Sequence, residues 1–392
     1  MVMQFDVIVV GAGLVGRLFA VGLAKNGLRV ASIDRDDASS MLDATLDGRT
    51  TAISLGSQKI FARLGLWNAI APYAQPIDYI RVVDDGSPWT LDYDAKDISH
   101  EPMGYIVENT YIRSSLYQVT PDTLTVFAPE GVESVVRADD GVTVTLQSNQ
   151  VLRAPLIVAA DGRYSALRAQ TNICVQTKDY DQKAFVVHIL HDKPHNNTAF
   201  EVFFKDGPLA VLPLTNDPIT HAHRSGLVWC KPRDFDWGGY NDDELSALFK
   251  TCFPYYGDVT FQPKRWHYPL SYTKVNSMID NRIALIGDAG HVMHPIAGQG
   301  VNLGWRDAIV LIENLSAAKA QGIDLGNPFL LKQYEKQRKY DRLGLLWATD
   351  GINCLYQSQL PPVRFARNAA FAVLNYIKPF KRAVMRRAMG MI

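Results

Sequence analysis

The chain has 392 residues, of which 47% are hydrophobic, and its 40 basic and 40 acidic side chains cancel. A chain of this size buries a large core and needs no disulfide or metal ion to hold its fold, and its length predicts two or three domains. Zero net charge argues against a general nucleic-acid binder, which would carry an excess of Lys and Arg.

The cysteines and the start of the chain indicate the compartment. The chain has four cysteines, which are Cys174, Cys230, Cys252 and Cys354. They lie far apart and form no CxxC pair, which favours a protein of the reducing cytosol. The first predicted strand begins near Phe5, so we expect no signal peptide. The sequence has no stretch of 18 uninterrupted apolar residues, so we expect no membrane-spanning helix. We expect a cytoplasmic protein, either soluble or peripheral on the inner face of the cytoplasmic membrane.

The chain opens with a strand, a helix and a second strand within about 30 residues, the length of a βαβ unit. Phe5–Val10 is a short apolar run typical of a buried parallel strand, Leu14–Asn26 is predicted helical, and Leu28–Ile33 is the second strand. These elements predict a nucleotide-binding fold at the start of the chain.

A G-x-G-x-x-G turn joins the first strand to the helix. Gly11 permits the tight turn, Gly13 lets a pyrophosphate approach the backbone, and Gly16 lets the helix lie close to the strand. The helix N-terminus offers free N–H groups to the phosphates. Asp34 ends the second strand, where a carboxylate binds the ribose hydroxyls of an adenine dinucleotide. The combination predicts a dinucleotide site.

Short strands separated by turn residues occupy the middle of the chain, at 76–90, 132–151 and 182–229, and predict a mostly antiparallel sheet. The buried-strand pattern returns at Ile283–Ile286, and Gly300–Ala320 is predicted as a long helix. From Pro328 onward the chain is predicted helical, with breaks at Pro361, Pro362 and Pro379. The nucleotide-binding pieces therefore flank a β-rich insertion, which implies a discontinuous domain.

Two further turns follow buried strands. Asp161-Gly162 comes after the strand Leu156–Ala160, and by itself it is compatible with an ordinary turn. A glycine-rich segment from Gly287-Asp288 to Gly304 joins a buried strand to the helix that starts near Gly300. Its consecutive backbone N–H groups predict an anion-binding nest, and the helix N-terminus is suited to stabilise negative charge developing on a ring.

The three turns, in this order and at these separations, resemble the FAD-dependent aromatic hydroxylases, the group A flavoprotein monooxygenases, over essentially the whole chain. Further stretches resemble the ubiquinone-biosynthesis hydroxylases of the UbiH/UbiF/VisC type: residues 47–52, 104–109, 194–195, 207–214, 227–229 and 349–353. One departure is Ala289-Gly290, where that family often has two alanines. The glycine removes no functional group, so the resemblance stands.

The resemblance implies an α/β fold like that of para-hydroxybenzoate hydroxylase. Its parts are a discontinuous Rossmann-like FAD-binding domain (1–75, 101–178 and 272–345), an inserted, mostly antiparallel β-sheet substrate-binding domain (76–100 and 179–271), and a basic C-terminal helical region (346–392).

The resemblance also implies roles for single residues, in chain order along the cofactor. The ADP half of FAD would be held by Gly11, Gly13, Gly16 and Asp34, and the pyrophosphate and flavin side would be lined by Arg49 and Arg113. Contacts to FAD and the nicotinamide would come from Asp161 and Gly162, and contacts to the ribityl chain from Gly287 and Asp288. The flavin ring would be surrounded by Pro295, Gly298, Gln299 and Gly300, with the N–H groups of Val301 and Asn302 at its N1/O2 edge.

The implied activity is hydroxylation of the aromatic ring of a polyprenylphenol in ubiquinone biosynthesis, with NAD(P)H and O2, through a flavin C4a-hydroperoxide and without a covalent nucleophile. Two alternatives stay open. One is hydroxylation of a small soluble aromatic compound, since fold and flavin site are shared. The other is a flavin-binding component with little turnover inside a quinone-biosynthesis complex.

Several polar residues favour plainer interpretations. His188, His191 and His195 lie in predicted strand and turn, where their spacing does not bring three imidazoles together, so we expect no metal site and mainly surface polarity. Glu201 is predicted to lie on a solvated strand face. His291 and His294 flank the flavin loop and are expected to touch substrate or to pack.

The net charge is unevenly distributed. Seven basic side chains and no acidic one follow Asp350: Arg364, Arg367, Lys378, Lys381, Arg382, Arg386 and Arg387. Within residues 380–392, the last four of these basic side chains alternate with apolar residues at an imperfect helical spacing. This segment follows the last predicted flavin contact along the chain. The tail is either a docked helix with a solvated basic edge, or a contact for anionic lipid or a partner protein.

Overall fold

The computed structural model describes residues 2–42, 47–85, 87–358, 362–363, 367 and 377–391. The strands are β1 (Val2–Gln4), β2 (Val7–Val10), β3 (Val30–Ile33), β4 (Thr50–Ser54), β5 (Gln75–Ile77), β6 (Tyr79–Asp84), β7 (Thr90–Asp94), β8 (Gly104–Glu108), β9 (Leu124–Phe127), β10 (Val132–Ala138), β11 (Gly141–Leu146), β12 (Val151–Ala154), β13 (Leu156–Ala159), β14 (Val175–His191), β15 (Thr198–Phe204), β16 (Gly207–Leu214), β17 (His223–Pro232), β18 (Val259–Val275), β19 (Ile279–Asp280), β20 (Ile283–Leu285) and β21 (His291–Val292). The α-helices of the described residues are α1 (Leu14–Lys25), α2 (Ala38–Leu42), α3 (Leu55–Arg63), α4 (Trp67–Ile70), α5 (Asn109–Tyr117), α6 (Asp242–Cys252), α7 (Gly300–Ala320), α8 (Pro328–Gln357) and α9 (Lys378–Ala388).

A six-stranded sheet forms the nucleotide-binding layer, in the order β19-β20-β13-β2-β3-β9. All neighbours pair in parallel except the edge strand β19, and the continuous apolar run Val7–Val9 of β2 is fully buried between helices. β20, β13 and β2 are adjacent and parallel, so the three predicted turns that follow them come together at one edge of the sheet.

The second layer is an eight-stranded sheet in the order β21-β18-β14-β17-β16-β15-β6-β7. Its pairing is antiparallel except between β15 and β6. One face packs on α6, through Phe249 and Phe253 among others. We call the opposite face, which carries Ala199, Glu201 and Phe203 of β15, the inner face; it contacts the nucleotide-binding part of the chain.

Two smaller sheets complete the architecture, in the orders β1-β12-β11-β10 and β4-β8-β5. The strands expected between residues 132 and 151 are present, but they do not join the large antiparallel sheet. They pair with one another and with β1 at the start of the chain, since β12 runs parallel to β1 with Val2 opposite Val151. The buried, alternate side chains of β11 therefore pack against the nucleotide-binding core.

The C-terminal part is helical where it is described. α8 runs without interruption for 30 residues, and residues 359–361, 364–366 and 368–376 lie outside the described part of the chain. Pro379 occupies the first turn of α9, where a missing N–H costs nothing. Among the described residues, no helix combines the length and the apolar character needed to cross a bilayer.

Candidate functional site

The first turn has the geometry expected of a close phosphate cradle. Gly11 has φ +99°, and a Cβ there would lie 2.3 Å from the carbonyl oxygen of Ala160; a Cβ on Gly16 would lie 2.0 Å from the carbonyl oxygen of Gly11. Neither position accepts a side chain. By contrast, nothing lies within 4 Å of a Cβ built on Gly13, which caps the N-terminus of α1. The turn is tight where it packs and open where a ligand would approach.

Asp34 stands directly beside this turn. It follows β3, and its carboxylate accepts hydrogen bonds from the backbone N–H groups of Ala12 and of Asp36, the latter at 3.0 Å. The carboxylate is thus fixed at the mouth of the turn. A ribose bound there would find an acceptor for its hydroxyls.

The two predicted arginines meet on a third residue that the sequence did not single out. Arg49 Nε donates to Asp47 Oδ1 at 2.8 Å, and Arg113 donates to Asp47 Oδ2. Burial raises the pKa of Asp47, but the hydrogen bond and charge of Arg49 and the charge of Arg113 outweigh it and hold that pKa well below its ordinary value. The carboxylate therefore stays ionised and keeps both guanidinium groups in place, while the Tyr268 ring lies under Arg49 at 5.0 Å.

The second turn touches the first. The backbone nitrogen of Asp161 lies 2.7 Å from the position a Cβ on Gly11 would take. Asp161 Oδ2 accepts the N–H of Leu167 at 3.2 Å, whereas its buried Oδ1 has no hydrogen-bond partner among the described residues. Gly162 has φ +82°, which only glycine adopts freely. An acceptor of this kind, buried and unpartnered at a glycine turn, is suited to a ligand.

The third turn interlocks with both others. Gly287 has φ +59°, and a Cβ there would lie 3.3 Å from Val15 of the first turn. Arg168, which follows the second turn, donates to the carbonyl of Ala289 at 2.6 Å. Asp288 is exposed, and its negative charge is one of the contributions that raise the pKa of Arg49.

The departure at Ala289-Gly290 has a packing reason. A Cβ on Gly290 would lie 2.5 Å from the Sδ of Met278, whose side chain is fully buried beneath the turn. The glycine therefore makes room for Met278.

A buried ionic cluster holds the third turn from below. Asp307 of α7 accepts from Gly287 N at 3.2 Å, pairs with His291 Nε2 at 2.6 Å and with Arg338 Nε at 2.8 Å. Burial raises the pKa of Asp307, but the charges and hydrogen bonds of His291 and Arg338 lower it overall to about 2. His291, which the sequence placed either at substrate or in packing, is therefore part of the support of the loop.

The loop from Pro295 to Gly300 runs between the third turn and α7. Ala297 and Gly298 both have φ near +60° and both are exposed. Asn302 ties the loop to β4, because its Oδ1 accepts from Ser54 N at 2.9 Å and its Nδ2 donates to the carbonyls of Ala52 and Gly298 at 2.6 and 3.0 Å. The N–H groups of Val301 and Asn302 lie in the first turn of α7, where amides have no intrahelical acceptor.

The inner face of the large sheet approaches this loop. Ile296 packs in one cluster with Phe203, Leu91 and Tyr356, and the Phe203 and Tyr356 rings stack at 3.7 Å. His294 is buried against Gln182, at 3.3 Å between Nε2 and Oε1, so it packs between the layers. The space between sheet and loop is therefore enclosed mainly by apolar side chains.

The histidines predicted to supply surface polarity are not exposed: His191 is buried, and His188 and His195 are partly buried. His191 lies between the carbonyl of Lys193 and the hydroxyl of Ser225, and burial lowers its pKa to about 4. His188 contacts Glu108 at 3.5 Å beside a cleft of about 430 Å³ next to Arg49. Within the described ranges, no group of three or more His, Cys, Asp or Glu is placed to hold a metal ion.

The C-terminal helix also reaches the site, although the sequence placed it beyond the last flavin contact. Gly56 N donates to the carbonyl of Met389 at 2.7 Å, and Gln299 Nε2 donates to that of Ala388 at 3.3 Å. Met385 and Met389 are buried against Leu55 and other residues of one cluster. Since Gln299 belongs to the loop from Pro295 to Gly300, α9 supports that loop.

Comparisons with known proteins agree with this geometry. Residues 4–341 match the family described as FAD binding domain. The chain is 39% identical to a ubiquinone hydroxylase, UbiL, of Rhodospirillum rubrum, over 98% of this chain and 89% of that protein. It is 29% identical to the 3-demethoxyubiquinol 3-hydroxylase of Escherichia coli, over 98% of both chains. The crystal structure of p-nitrophenol 4-monooxygenase PnpA from Pseudomonas putida shares the fold, with a TM-score of 0.82, 19% identity and 99% of both chains covered.

Proposed function

Because this chain belongs to the FAD-dependent hydroxylase family of ubiquinone biosynthesis, we propose that it hydroxylates the aromatic ring of a polyprenylphenol, using NAD(P)H and O2. The observation that carries the proposal is the meeting of three glycine turns at the ends of the adjacent strands β2, β13 and β20, opposite an apolar sheet face. Such a mouth holds a dinucleotide on one side and a hydrophobic ring on the other.

The residues present fit FAD. Gly13 leaves an open approach for the pyrophosphate, Asp34 offers a carboxylate to the ribose, and the unpartnered Oδ1 of Asp161 awaits a donor. Arg49 and Arg113 supply positive charge along the same mouth. When bound, FAD supplies the two-electron transfer and the oxygen activation. The protein's part is to bind, to orient and to exclude water.

The first turn of α7 has a definite electrostatic task in this proposal. Its N–H groups at Val301 and Asn302 and the positive end of the helix dipole stabilise negative charge at the edge of the flavin ring. Asn302 fixes the helix start against β4 through its three side-chain hydrogen bonds, so this charge is held in one place.

An apolar substrate suits the inner face better than a small aromatic acid. A pocket for a carboxylate needs an arginine that is not already paired. Arg224 is bound to Glu108 at 2.8 Å, Arg367 is bound to Asp84 at 2.6 Å, and Arg49 is bound to Asp47 at 2.8 Å, so each of these arginines already has a carboxylate partner. This pairing supports a prenylated phenol over a small soluble acid.

A polyprenylated substrate resides in lipid, and α9 is suited to meet that surface. Phe380 and Val384, four residues apart, are 54% and 38% exposed, and Arg382 and Arg386 are exposed at the same spacing. Apolar side chains beside arginines on one exposed helix are typical of a contact with anionic lipid. We therefore propose that α9 places the mouth of the site at an anionic membrane surface.

Point substitutions test the lipid contact more cleanly than deletion of residues 378–392, because deletion would also remove Met385 and Met389 from the core. We expect the double variant F380S/V384S to bind phosphatidylglycerol liposomes several-fold more weakly in flotation assays while its FAD content stays unchanged. V136S, at an exposed valine of β10, is the matched control. Equal flotation of all three proteins would refute the contact.

The function itself is tested by the quinone intermediates of a deletion strain. We expect mass spectrometry to find a prenylated precursor that lacks one ring oxygen, and re-expression of the chain to remove it. A normal quinone profile in the deletion strain would refute the proposed function.

A further inference from the structure

The sequence predicted that Glu201 lies on a solvated strand face, but in the structure it does not. It projects from the inner face of β15, between Ala199 and Phe203, which are 6% and 4% exposed. Val82 of β6 and Ala210 of β16 lie directly opposite it in the neighbouring strands. Among the described residues, no hydrogen bond or ion pair reaches its carboxyl group. A carboxyl without a partner in an apolar sheet face is costly and therefore unusual.

The inner face borders a space at this point. Glu201 lies deep within the fold but keeps partial exposure, as do its inner-face neighbours Leu212 and Val228. On the opposite face of the same strands, Leu209, Val211 and Leu227 are completely buried. We infer from this contrast that the carboxyl faces a cavity inside the fold rather than bulk water. Phe203, two residues along the same strand face, packs on Ile296 of the flavin loop, so the cavity lies between sheet and loop.

Among the described residues near Glu201, no other group is expected to titrate around neutral pH. Burial raises the pKa of Glu201 to about 8. Burial also raises the pKa of Cys230 and that of Tyr356, and it raises the pKa of Tyr93 to about 12, so all three stay uncharged. Asp84 is bound by Arg367. Glu201 is consequently the one carboxyl in the described part of this cavity that changes charge near the working pH, which suits proton transfer.

We propose that Glu201 receives the ring hydroxyl of the substrate and removes its proton while the ring is oxygenated. The inference rests on the proposed function, since it requires a phenol. The O–H bond breaks, its electron pair stays on the phenol oxygen and enriches the ring, and the proton moves to a Glu201 oxygen. The ring carbon that receives the oxygen atom then releases its hydrogen as a proton, which the second oxygen atom of O2 takes up as it leaves as water, and Glu201 returns its own proton to the phenol oxygen. The oxygen atom comes from the family's own reaction, so no further oxidant is needed.

Glu201→Gln tests this role, because it keeps an acceptor of the same shape but cannot take a proton. The control is Glu133→Gln, at an exposed position of β10. The probe is 2-farnesylphenol in detergent micelles, with FAD-loaded protein, NAD(P)H and O2. We expect E201Q to form product about 100-fold more slowly, in the range typical for loss of a general base, and to lose the rise of product formation between pH 6 and 9. NAD(P)H oxidation without product should persist.

A readout without turnover accompanies the rates. We expect 2-farnesylphenol bound to the oxidised wild-type protein at pH 8.5 to show the red-shifted ultraviolet band of a phenolate, and E201Q to show the band of the neutral phenol. Product formation and a pH profile in E201Q that equal those of E133Q would overturn the inference alone. Absence of product from the wild type would overturn the proposed function and the inference with it.

Discussion

The isolated carboxyl of Glu201 should make the fold less stable as pH rises. Its pKa goes from an ordinary 4.5 to about 8 in the folded protein. The native state thus binds this proton more tightly than the unfolded chain, so the penalty is absent well below pH 4.5 and grows as pH rises towards 8. At about 1.4 kcal/mol per pKa unit, the penalty is roughly 1 kcal/mol at pH 5 and about 3 kcal/mol at pH 7.

Glu201→Gln removes that penalty, because the amide carries no charge at any pH in this range. We expect E201Q to raise the melting temperature in circular-dichroism scans, by more at pH 7 than at pH 5, while E133Q leaves it unchanged at both. If replacing a residue stabilises the fold and yet slows product formation, that residue is kept for function at the expense of stability. An E201Q melting temperature that is equal to or below the wild type at both pH values would refute the reasoning.

Three other substitutions probe the supports of the site. Asp307→Asn removes the carboxylate that His291 shares with the buried Arg338, which keeps Asp341 as its remaining partner; it should cost about 3 kcal/mol in urea unfolding and lower FAD retention, whereas wild-type retention would contradict the role of the cluster. Gly16→Ala places a Cβ 2.0 Å from a backbone oxygen and should abolish FAD binding, while Gly351→Ala, with nothing within 4 Å, should be tolerated; equal FAD content in both would contradict the cradle. Gly56→Ala places a Cβ 2.4 Å from the backbone of the C-terminal tail and should expose that tail to limited proteolysis, and an unchanged digestion pattern would show that α9 is held elsewhere.

The cofactor side could be predicted from the sequence because its signals are local. A glycine that must adopt positive φ, or must lie against a backbone atom, is visible at its own position, and the helix predicted at Gly300–Ala320 has those bounds in the structure. The buried strands are continuous apolar runs, so each could be recognised in the sequence, whereas their order in the sheet is seen only in the structure.

The missed residues depend on contacts between distant parts of the chain. Nothing around Glu201 in the sequence distinguishes a strand face that borders a cavity from one that meets water; Val82 and Ala210 make the difference. Asp307 gains its role from Arg338 on another helix, and Asp47 gains its role from Arg113, 66 residues later. Charge pairing of this kind has no sequence period.

The tail was predicted either as a docked helix with a solvated basic edge or as a contact for lipid or a partner protein, and the structure shows a docked helix. Met385 and Met389 anchor α9 in a core cluster, and Gln299 of the flavin loop bonds to the carbonyl of Ala388. The sequence did not reveal where the helix docks, because these contacts join distant parts of the chain. The side chain of Arg387 lies beside Gly344 on α8. One helix thus both braces the loop and exposes Phe380 and Val384 to the surroundings.

The most direct measurement of the central claim is oxygen transfer by the purified protein. FAD-loaded protein is incubated with 2-farnesylphenol, NADH or NADPH, and ¹⁸O2, and the products are separated and weighed by mass spectrometry. The account predicts a single ring hydroxylation whose added oxygen atom carries the ¹⁸O label. NAD(P)H oxidation that yields only hydrogen peroxide, or a product whose new oxygen comes from water, would contradict it.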